Sequence, residues 1–254
     1  MYKTCPKCKY IRQPTDNIDP DICPDCGIHF SKWMKQQFSP KKEESKKYRN
    51  PDTSKTKKII GSYLFYTEEK VNPFVFFGRI LVFIGLLIWG LHFINVDFTK
   101  HAHLIMNSYM HIINLVFHEA GHVIFRPFGW FITILGGTLG QLLMPTIVML
   151  TFLIKNRNNF GASVGLWWLG QSFIDCAPYI DDAAKMQLQL VGGGTGWERM
   201  GSHDWNNMLI EIGELDSHRE IATTFDTIGT LIILLALFWS AYLLFKQFKK
   251  IDSI

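Results

Sequence analysis

Five long apolar runs constrain this chain more than any other feature of its sequence. They lie at 74–96, 104–125, 131–154, 160–180 and 226–245. Each approaches the roughly 20 apolar residues that an α-helix needs to cross a bilayer. Inside hydrocarbon every backbone N–H and C=O must find a partner within the protein, which favours helices for such runs. The sequence therefore predicts a mostly α-helical, polytopic membrane protein with about five membrane segments.

Polar residues are concentrated near the N-terminus, and this divides the chain into three parts. The first, 1–38, holds four of the five cysteines. The second, 39–70, contains the lysine-rich stretch KKEESKKYRNPDTSKTKK, which is typical of a basic flexible linker and can also be attracted to anionic membrane lipid. The third, 71–250, is the predicted helical membrane domain. A formal net charge of only +4 gives no reason to expect nucleic-acid binding.

Two Cys-x-x-Cys pairs lie close together in the first part. They are Cys5 with Cys8, in CPKC, and Cys23 with Cys26, in CPDC. Four thiolates suit one tetrahedral Zn²⁺, so the sequence predicts a zinc ribbon with a structural ion, and two disulfides or a redox pair are the alternatives. So short a segment needs the metal to fold. Because reduced thiolates imply a reducing compartment, we expect a multi-pass protein of the cell (inner) membrane with a cytoplasmic N-terminus.

The stretch VFHEAGHVIF, residues 116–125, places two imidazoles and a carboxylate inside the second apolar run. On a helix His118 and His122 lie one turn apart on one face, so both can bind one metal ion, and Glu119 lies beside that ion. Such groups are costly in hydrocarbon and usually mark a functional site. The pattern predicts a second Zn²⁺, with Glu119 as the catalytic base acting on a bound water. A buried structural pair of histidines is the alternative.

A catalytic zinc site needs a third protein ligand and one open position. Asp175 is the first candidate, because the end of the fourth run should lie at the depth of the histidines, and Gln171 shares its helix face. Three rivals follow along the chain: Asp182, His203 and Asp204. Asn114, one turn before His118, would orient a ligand, bind an oxyanion or pack as a buried amide.

Two glycine-rich stretches flank these candidates. The stretch ILGGTLGQ at 134–141 is compatible with a helix break, a re-entrant loop or close contact between helices, and the sequence leaves the three open. The stretch VGGGTG at 191–196 lacks the Gly-Lys-Ser/Thr of a phosphate-binding loop. Its glycines would let the loop before His203 approach the site closely.

The pattern His118-Glu119-x-x-His122 within a membrane helix, with an aspartate at the end of a later one, resembles the site-2 protease group of intramembrane zinc metalloproteases. The resemblance is specific over 118–122 and loose over 104–182. It implies that both histidines and Asp175 bind zinc, that Glu119 is the catalytic base, and that peptide bonds of a membrane-protein substrate are hydrolysed. The group has Asp-Gly at the ligand aspartate, whereas Asp175 precedes Cys176.

Two other functions are compatible with the sequence. One is a non-enzymatic membrane adaptor or scaffold, whose zinc ribbon binds a protein partner and whose histidines hold a structural metal. The other is a membrane di-iron oxygenase, since HEAGH also contains His-x-x-x-His. That chemistry needs several histidine boxes, and His101, His103 and His111 do not repeat the spacing.

Overall fold

The structure, a computed structural model, describes residues 2–38, 61 and 63–251. The chain divides into two compact units, Met1–Thr56 and Lys57–Ile254. Within the described residues the fold is helical, with β-structure limited to isolated bridges, as expected of the predicted class. Most of the predicted linker, 39–60 and 62, lies outside the described residues.

The first unit consists of two knuckles of the same construction, followed by α1 (Phe30–Phe38). In each knuckle the N–H of the first cysteine donates to the carbonyl five residues later, over 2.8 Å from Cys5 and 3.0 Å from Cys23. Each loop then turns through a residue with positive φ, Lys9 at 61° and Gly27 at 68°. Its buried apolar side chains are few: Cys5, Cys23 and Phe30. Apolar burial alone therefore gives this unit little stability.

The second unit is a bundle of helices. In chain order these are α2 (Pro73–Ile94), α3 (Phe98–Met106), α4 (Tyr109–Phe125), α5 (Trp130–Leu150), α6 (Asn159–Asp181), α7 (Asp204–Glu211) and α8 (His218–Phe248). In the described part of the chain three segments are long and apolar enough to cross a membrane: Pro73–Ile94, Trp130–Lys155 and Leu215–Phe248. This indicates a membrane protein, but the predicted count of about five segments is not confirmed.

The difference in count comes from α4 and α6. Helix α4 has only 17 residues. Helix α6 has 23 residues, but polar side chains lower its hydropathy, and most of its residues are buried. It packs against α5 and α8 and also contacts α2, α3, α4 and α7. In both helices most of the polar groups therefore lie against protein, where they can be hydrogen-bonded.

Helices α4 and α5 form a closely packed antiparallel pair. The chain leaves α4 through the turn Arg126–Phe128 and enters α5 after Gly129, whose φ is 94°. A Cβ atom on Gly121 would collide with the carbonyl oxygen of Gly136, and one on Gly140 would collide with the backbone of α4. Of the three structures compatible with the 134–141 glycines, the close helix contact is therefore the one that forms, within a continuous helix.

Helices α6 and α8 run antiparallel through the unit. At one end Arg219 Nε donates to Asp181 Oδ1 over 3.1 Å, and at the other Ser240 Oγ lies 2.8 Å from Ser163 Oγ. Helix α6 continues through Pro178, which lies inside it.

The described end of the predicted linker, 63–70, lies against the Ser163 end of α6 and α8. Asn159 Nδ2 donates to the carbonyl of Tyr63 over 2.6 Å. Trp239 Nε1 and Lys246 Nζ donate to the next two carbonyls, over 2.9 Å and 2.8 Å. These residues are therefore held by side chains of the helical unit.

Candidate metal centres

Four sulfur atoms meet in the first unit. Cys5 Sγ lies 3.7 Å from Cys26 Sγ, and Cys8 Sγ lies 3.6 Å from Cys23 Sγ, so each contact joins one knuckle to the other. A disulfide bond is only about 2.05 Å long, and all four cysteines are free thiols. The cluster therefore has the arrangement of a site that can hold a metal ion.

The thiols of this cluster influence one another's ionisation. Burial opposes ionisation of Cys5, but the backbone N–H groups of Cys8 and Lys7 stabilise its thiolate and lower its pKa to about 6. The backbone of Tyr10 favours the Cys8 thiolate in the same way, yet burial and the neighbouring sulfurs raise the pKa of Cys8. A cation among the four sulfurs would allow all of them to ionise.

Replacing both Cys5 and Cys8 by Ser should remove one metal ion per full-length chain, because two of four ligands are lost. Elemental analysis of the purified protein by mass spectrometry measures this content. The Cys176→Ser variant is the matched control, since Cys176 lies outside the four-cysteine cluster and its substitution should leave the content unchanged. An unchanged metal content in the double variant would contradict the assignment.

A second cluster joins α4 to α7. Asp204 Oδ2 lies 3.0 Å from His118 Nε2 and 3.2 Å from His122 Nε2. These three residues offer ligand atoms within 4.8 Å of one another, which is an arrangement that can hold a metal ion. Among the described residues no fourth His, Cys, Asp or Glu joins the group. A metal ion bound here would keep a position open.

The charge of Asp204 suits the role of a ligand. Burial by itself would raise the pKa of this carboxyl, but hydrogen bonds and attraction from His118 and His122 lower it to about 2. Asp204 is also the first residue of α7, where the helix dipole favours a negative charge. The group is therefore a carboxylate at physiological pH.

Two features of α5 position the imidazoles. The carbonyl oxygen of Thr133 lies 2.8 Å from His122 Nδ1, so Nδ1–H can donate to it and leave Nε2 free as a ligand atom. Gly137 lies opposite the imidazole rings of His118 and His122. A Cβ atom there would lie 2.6 Å from both His118 Nε2 and His122 Nε2. The absent side chain of Gly137 therefore provides the space in which the two ring nitrogens meet Asp204.

Gly137→Ala should abolish metal binding at the second cluster, lowering the content from two ions to one per chain, because the added methyl group displaces both ligand nitrogens. Elemental analysis of the full-length protein measures the loss. Gly85→Ala in α2 is the matched control, since a Cβ there meets no atom within 4 Å. Two ions in the Gly137 variant would show that the rings do not bind metal in this position.

Asp175, the third ligand expected from the sequence, is engaged elsewhere. Its carboxylate accepts hydrogen bonds from Gln141 Nε2 over 2.9 Å and Asn114 Nδ2 over 3.1 Å. It also lies 3.1 Å from His111 Nδ1. It does not belong to the group of ligand atoms around the two histidines. The structure brings Asp204 to that position, which was one of the rivals.

The two supporting residues predicted from the sequence belong to the network around Asp175. Asn114 Nδ2 donates to Gln171 Oε1 over 2.9 Å, and Asn114 Oδ1 accepts from Trp168 Nε1 over 2.8 Å. The side chain of Asn114 thus links α4 to α6. It supports the helix that carries the histidines, and the structure shows no hydrogen bond from it to their rings.

The other two rivals shape the segment that delivers Asp204. His203 caps α7, since its Nδ1 accepts from Asn206 N over 3.2 Å, and its Nε2 lies 3.4 Å from Asp182 Oδ2. Asp182 also accepts from two backbone N–H groups of the following loop. Burial opposes ionisation of Asp182, but His203 and these N–H groups lower its pKa. His203 also stacks on Tyr179, at 4.2 Å between ring centroids.

The variants Asp204→Asn and Asp175→Asn distinguish the two candidate ligands. Asp204→Asn should weaken binding at the second cluster by more than the 10–100-fold that loss of a supporting partner typically causes, because it removes a charged ligand atom. Asp175→Asn should have the smaller effect. Titration with a competing chelator gives both affinities. The opposite ranking would return the ligand role to Asp175.

A cavity of about 420 Å³ lies over the second cluster, and this volume is within the range of ligand-binding pockets. Its walls come from α4, α5, α6, α7 and the loop after α6. Glu119 lines it beside the histidines, and its exposed carboxylate makes no hydrogen bond or ion pair with the part of the chain that the structure describes.

Arg199 stabilises the loop after α6 by donating to the carbonyls of Val191 and Gly193, over 3.0 Å and 2.9 Å.

Sequence reasoning missed two residues at this site. Gly137 was visible only as one of several glycines in 134–141, and the helix contact that requires it is a long-range feature. His111 lies seven residues before His118 on the same helix face, with Asn114 between them at helical spacing. This spacing of three and four residues could have predicted a row of polar side chains along one face of α4.

Comparison with known proteins gives no relative. No family model, curated protein or solved structure matches this chain. The functional argument therefore depends on the residues of the two clusters and on their geometry.

Proposed function

We propose that the protein is a membrane-embedded zinc metallopeptidase that hydrolyses peptide bonds of membrane proteins. One observation carries this proposal: His118 Nε2, His122 Nε2 and the Asp204 carboxylate converge beside an unengaged Glu119 in an open cavity. Two imidazoles and one carboxylate, with one position left open, are typical of catalytic zinc. The proposal extends the resemblance to site-2 proteases, with the carboxylate supplied by the start of α7.

The distances at both clusters suit zinc. Tetrahedral Zn²⁺ with bonds of about 2.0–2.1 Å to N and O separates its ligand atoms by about 3.3 Å. The observed distances from Asp204 Oδ2 to the Nε2 atoms of His118 and His122 are 3.0 Å and 3.2 Å. With Zn–S bonds of about 2.3 Å, the sulfur atoms of a tetrahedral site are about 3.8 Å apart. The two observed sulfur–sulfur contacts measure 3.6 Å and 3.7 Å. These distances are compatible with zinc, and we propose one catalytic and one structural Zn²⁺.

The side chains of the site have distinct roles in this reaction. Zn²⁺ held by such ligands would lower the pKa of a bound water towards about 7 and would polarise a carbonyl group. Glu119 accepts a proton as the water oxygen adds to the carbonyl carbon of the substrate. When the C–N bond breaks, Glu119 gives that proton to the leaving amine. Thr133 orients His122 through its carbonyl oxygen.

We further propose a cytoplasmic N-terminus and a location in the inner membrane. Thiolate ligands persist in reducing compartments, which supports a cytosolic ribbon. The ribbon would bind a protein partner or recruit the substrate, because its four-sulfur site leaves no position for catalysis.

Glu119→Gln should retain both metal ions and slow cleavage by roughly 10²–10⁴-fold, because it keeps the shape of the side chain but removes the base. His118→Ala should lose both cleavage and the second ion. Quantitative proteomics of membrane fractions from cells carrying each variant measures the accumulation of uncut proteins. Glu211→Gln, an exposed glutamate of α7 outside the cavity, is the matched control.

Two results would contradict the proposed activity. If Glu119→Gln cells cleave membrane proteins as wild-type cells do, the second metal has a structural role, and an adaptor function replaces the peptidase. If the second ion proves to be iron, the proposed hydrolysis is also wrong, since two histidines and a carboxylate also form the facial triad of Fe(II) oxygenases.

A further inference from the structure

The two ends of the helical unit carry different charges. One end is formed by the 63–70 segment, the start of α6 and the end of α8. Cations gather there at Lys155, Arg157, Lys246, Lys249 and Lys250, and they outnumber the exposed carboxylates of the segment, Glu68 and Glu69. The guanidinium of Arg157 lies 5.3 Å from the centroid of the Tyr63 ring, and Lys246 and Lys250 donate to carbonyls of the segment. We call this the basic end.

Aromatic side chains with polar tips accompany these cations. Tyr63, Tyr66 and Tyr242 are exposed at the basic end, and Tyr242 packs edge-on against Phe65, at 5.3 Å between ring centroids. Tyrosine and tryptophan are enriched where a membrane protein passes from hydrocarbon to headgroups. The basic end therefore combines an aromatic belt with positive charge.

The metal cluster belongs to the other end. Tyr179, which borders His118, lies 20 residues along α6 from Asn159, which binds the 63–70 segment. This is about 30 Å of helix, close to the thickness of the hydrocarbon core. The Asp181–Arg219 pair places the start of α8 at this same end.

The metal end is acidic. Its exposed carboxylates include Glu198, Glu211, Glu214, Asp216 and Glu220. Cations are present there as well, at Lys100, Arg126, Lys185, Arg199 and Arg219. Lys100 pairs with Asp97, and Lys185 and Arg219 pair with Asp181. Segments rich in Lys and Arg tend to stay on the cytoplasmic side of a membrane, where the leaflet is anionic. The basic end has more of these residues than the metal end, and the lysine-rich stretch 41–58 precedes it in the sequence.

We propose that the basic end lies against the anionic cytoplasmic leaflet, and that the metal cavity opens at the opposite face of the membrane. This topology places loop 185–203 outside the cytosol and returns the C-terminal lysines to it. One part of this inference rests on the proposed function: if the protein is a peptidase, the topology also indicates which substrates it cuts. The peptidase would cut membrane proteins near the non-cytoplasmic end of their helices.

Cysteine labelling in spheroplasts that express the full-length chain tests this topology. A membrane-impermeant maleimide should label Met200→Cys, in the exposed part of loop 185–203, without permeabilisation. Lys249→Cys should be labelled only after permeabilisation. The wild-type chain gives the background from its own five cysteines. Trp197→Cys and Lys155→Cys are a second pair at the same two ends, and unchanged metal content shows that each variant is folded.

Labelling of both positions from the same side would overturn the proposal, as would labelling of Lys249→Cys alone in intact spheroplasts. The labelling does not depend on cleavage. An inactive protein with the expected labelling would refute the peptidase and keep the topology, and an active protein with the reverse labelling would do the opposite.

Discussion

Helices α4 and α5 approach each other so closely that only glycine is accommodated between them. This packing determines where the imidazoles of the second cluster lie inside the helical unit. Gly121, the glycine of HEAGH, faces the backbone of α5 and makes this approach sterically possible. Gly137 leaves the space that both ring nitrogens occupy, and the carbonyl of Thr133 reaches His122 from the same helix. Small residues commonly allow such contacts in membranes, where hydrocarbon provides no hydrophobic drive for helix association. The orientation of the ligands is thus a result of helix packing.

The polar network behind the ligands has a complementary role. Asp175 and Gln171 lie on α6, and their partners Asn114 and Gln141 come from α4 and α5. A buried polar group without a partner costs about 1–3 kcal/mol, so these bonds favour one arrangement of the three helices. Asp175 therefore supports the site indirectly, because it helps to hold α4, α5 and α6 together.

The features that sequence reasoning found depend on short spacings. The four-cysteine cluster, the pair His118 and His122 and the helical class each follow from residues within a few turns or one loop of each other. The third carboxylate did not follow, because Asp175 and Asp204 both had a reasonable depth, and the fold of loop 185–203 decides between them. The number of membrane segments was uncertain for a related reason. A helix enclosed by other helices, such as α6, still has many apolar residues, so the sequence alone does not separate it from a helix that faces lipid.

The contact between α8 and the 63–70 segment has a consequence for biosynthesis. The C-terminal helix closes the unit onto residues that were synthesised long before it, and Val71 pairs with Ile251. Every ligand of the second cluster precedes α8 in the chain, so these residues leave the ribosome before the helix that encloses α6. Until α8 is inserted, Gly170 lacks its packing partner and Ser163 lacks its hydrogen bond to Ser240. The nascent bundle therefore remains open on one side after His118, His122 and Asp204 have all been synthesised.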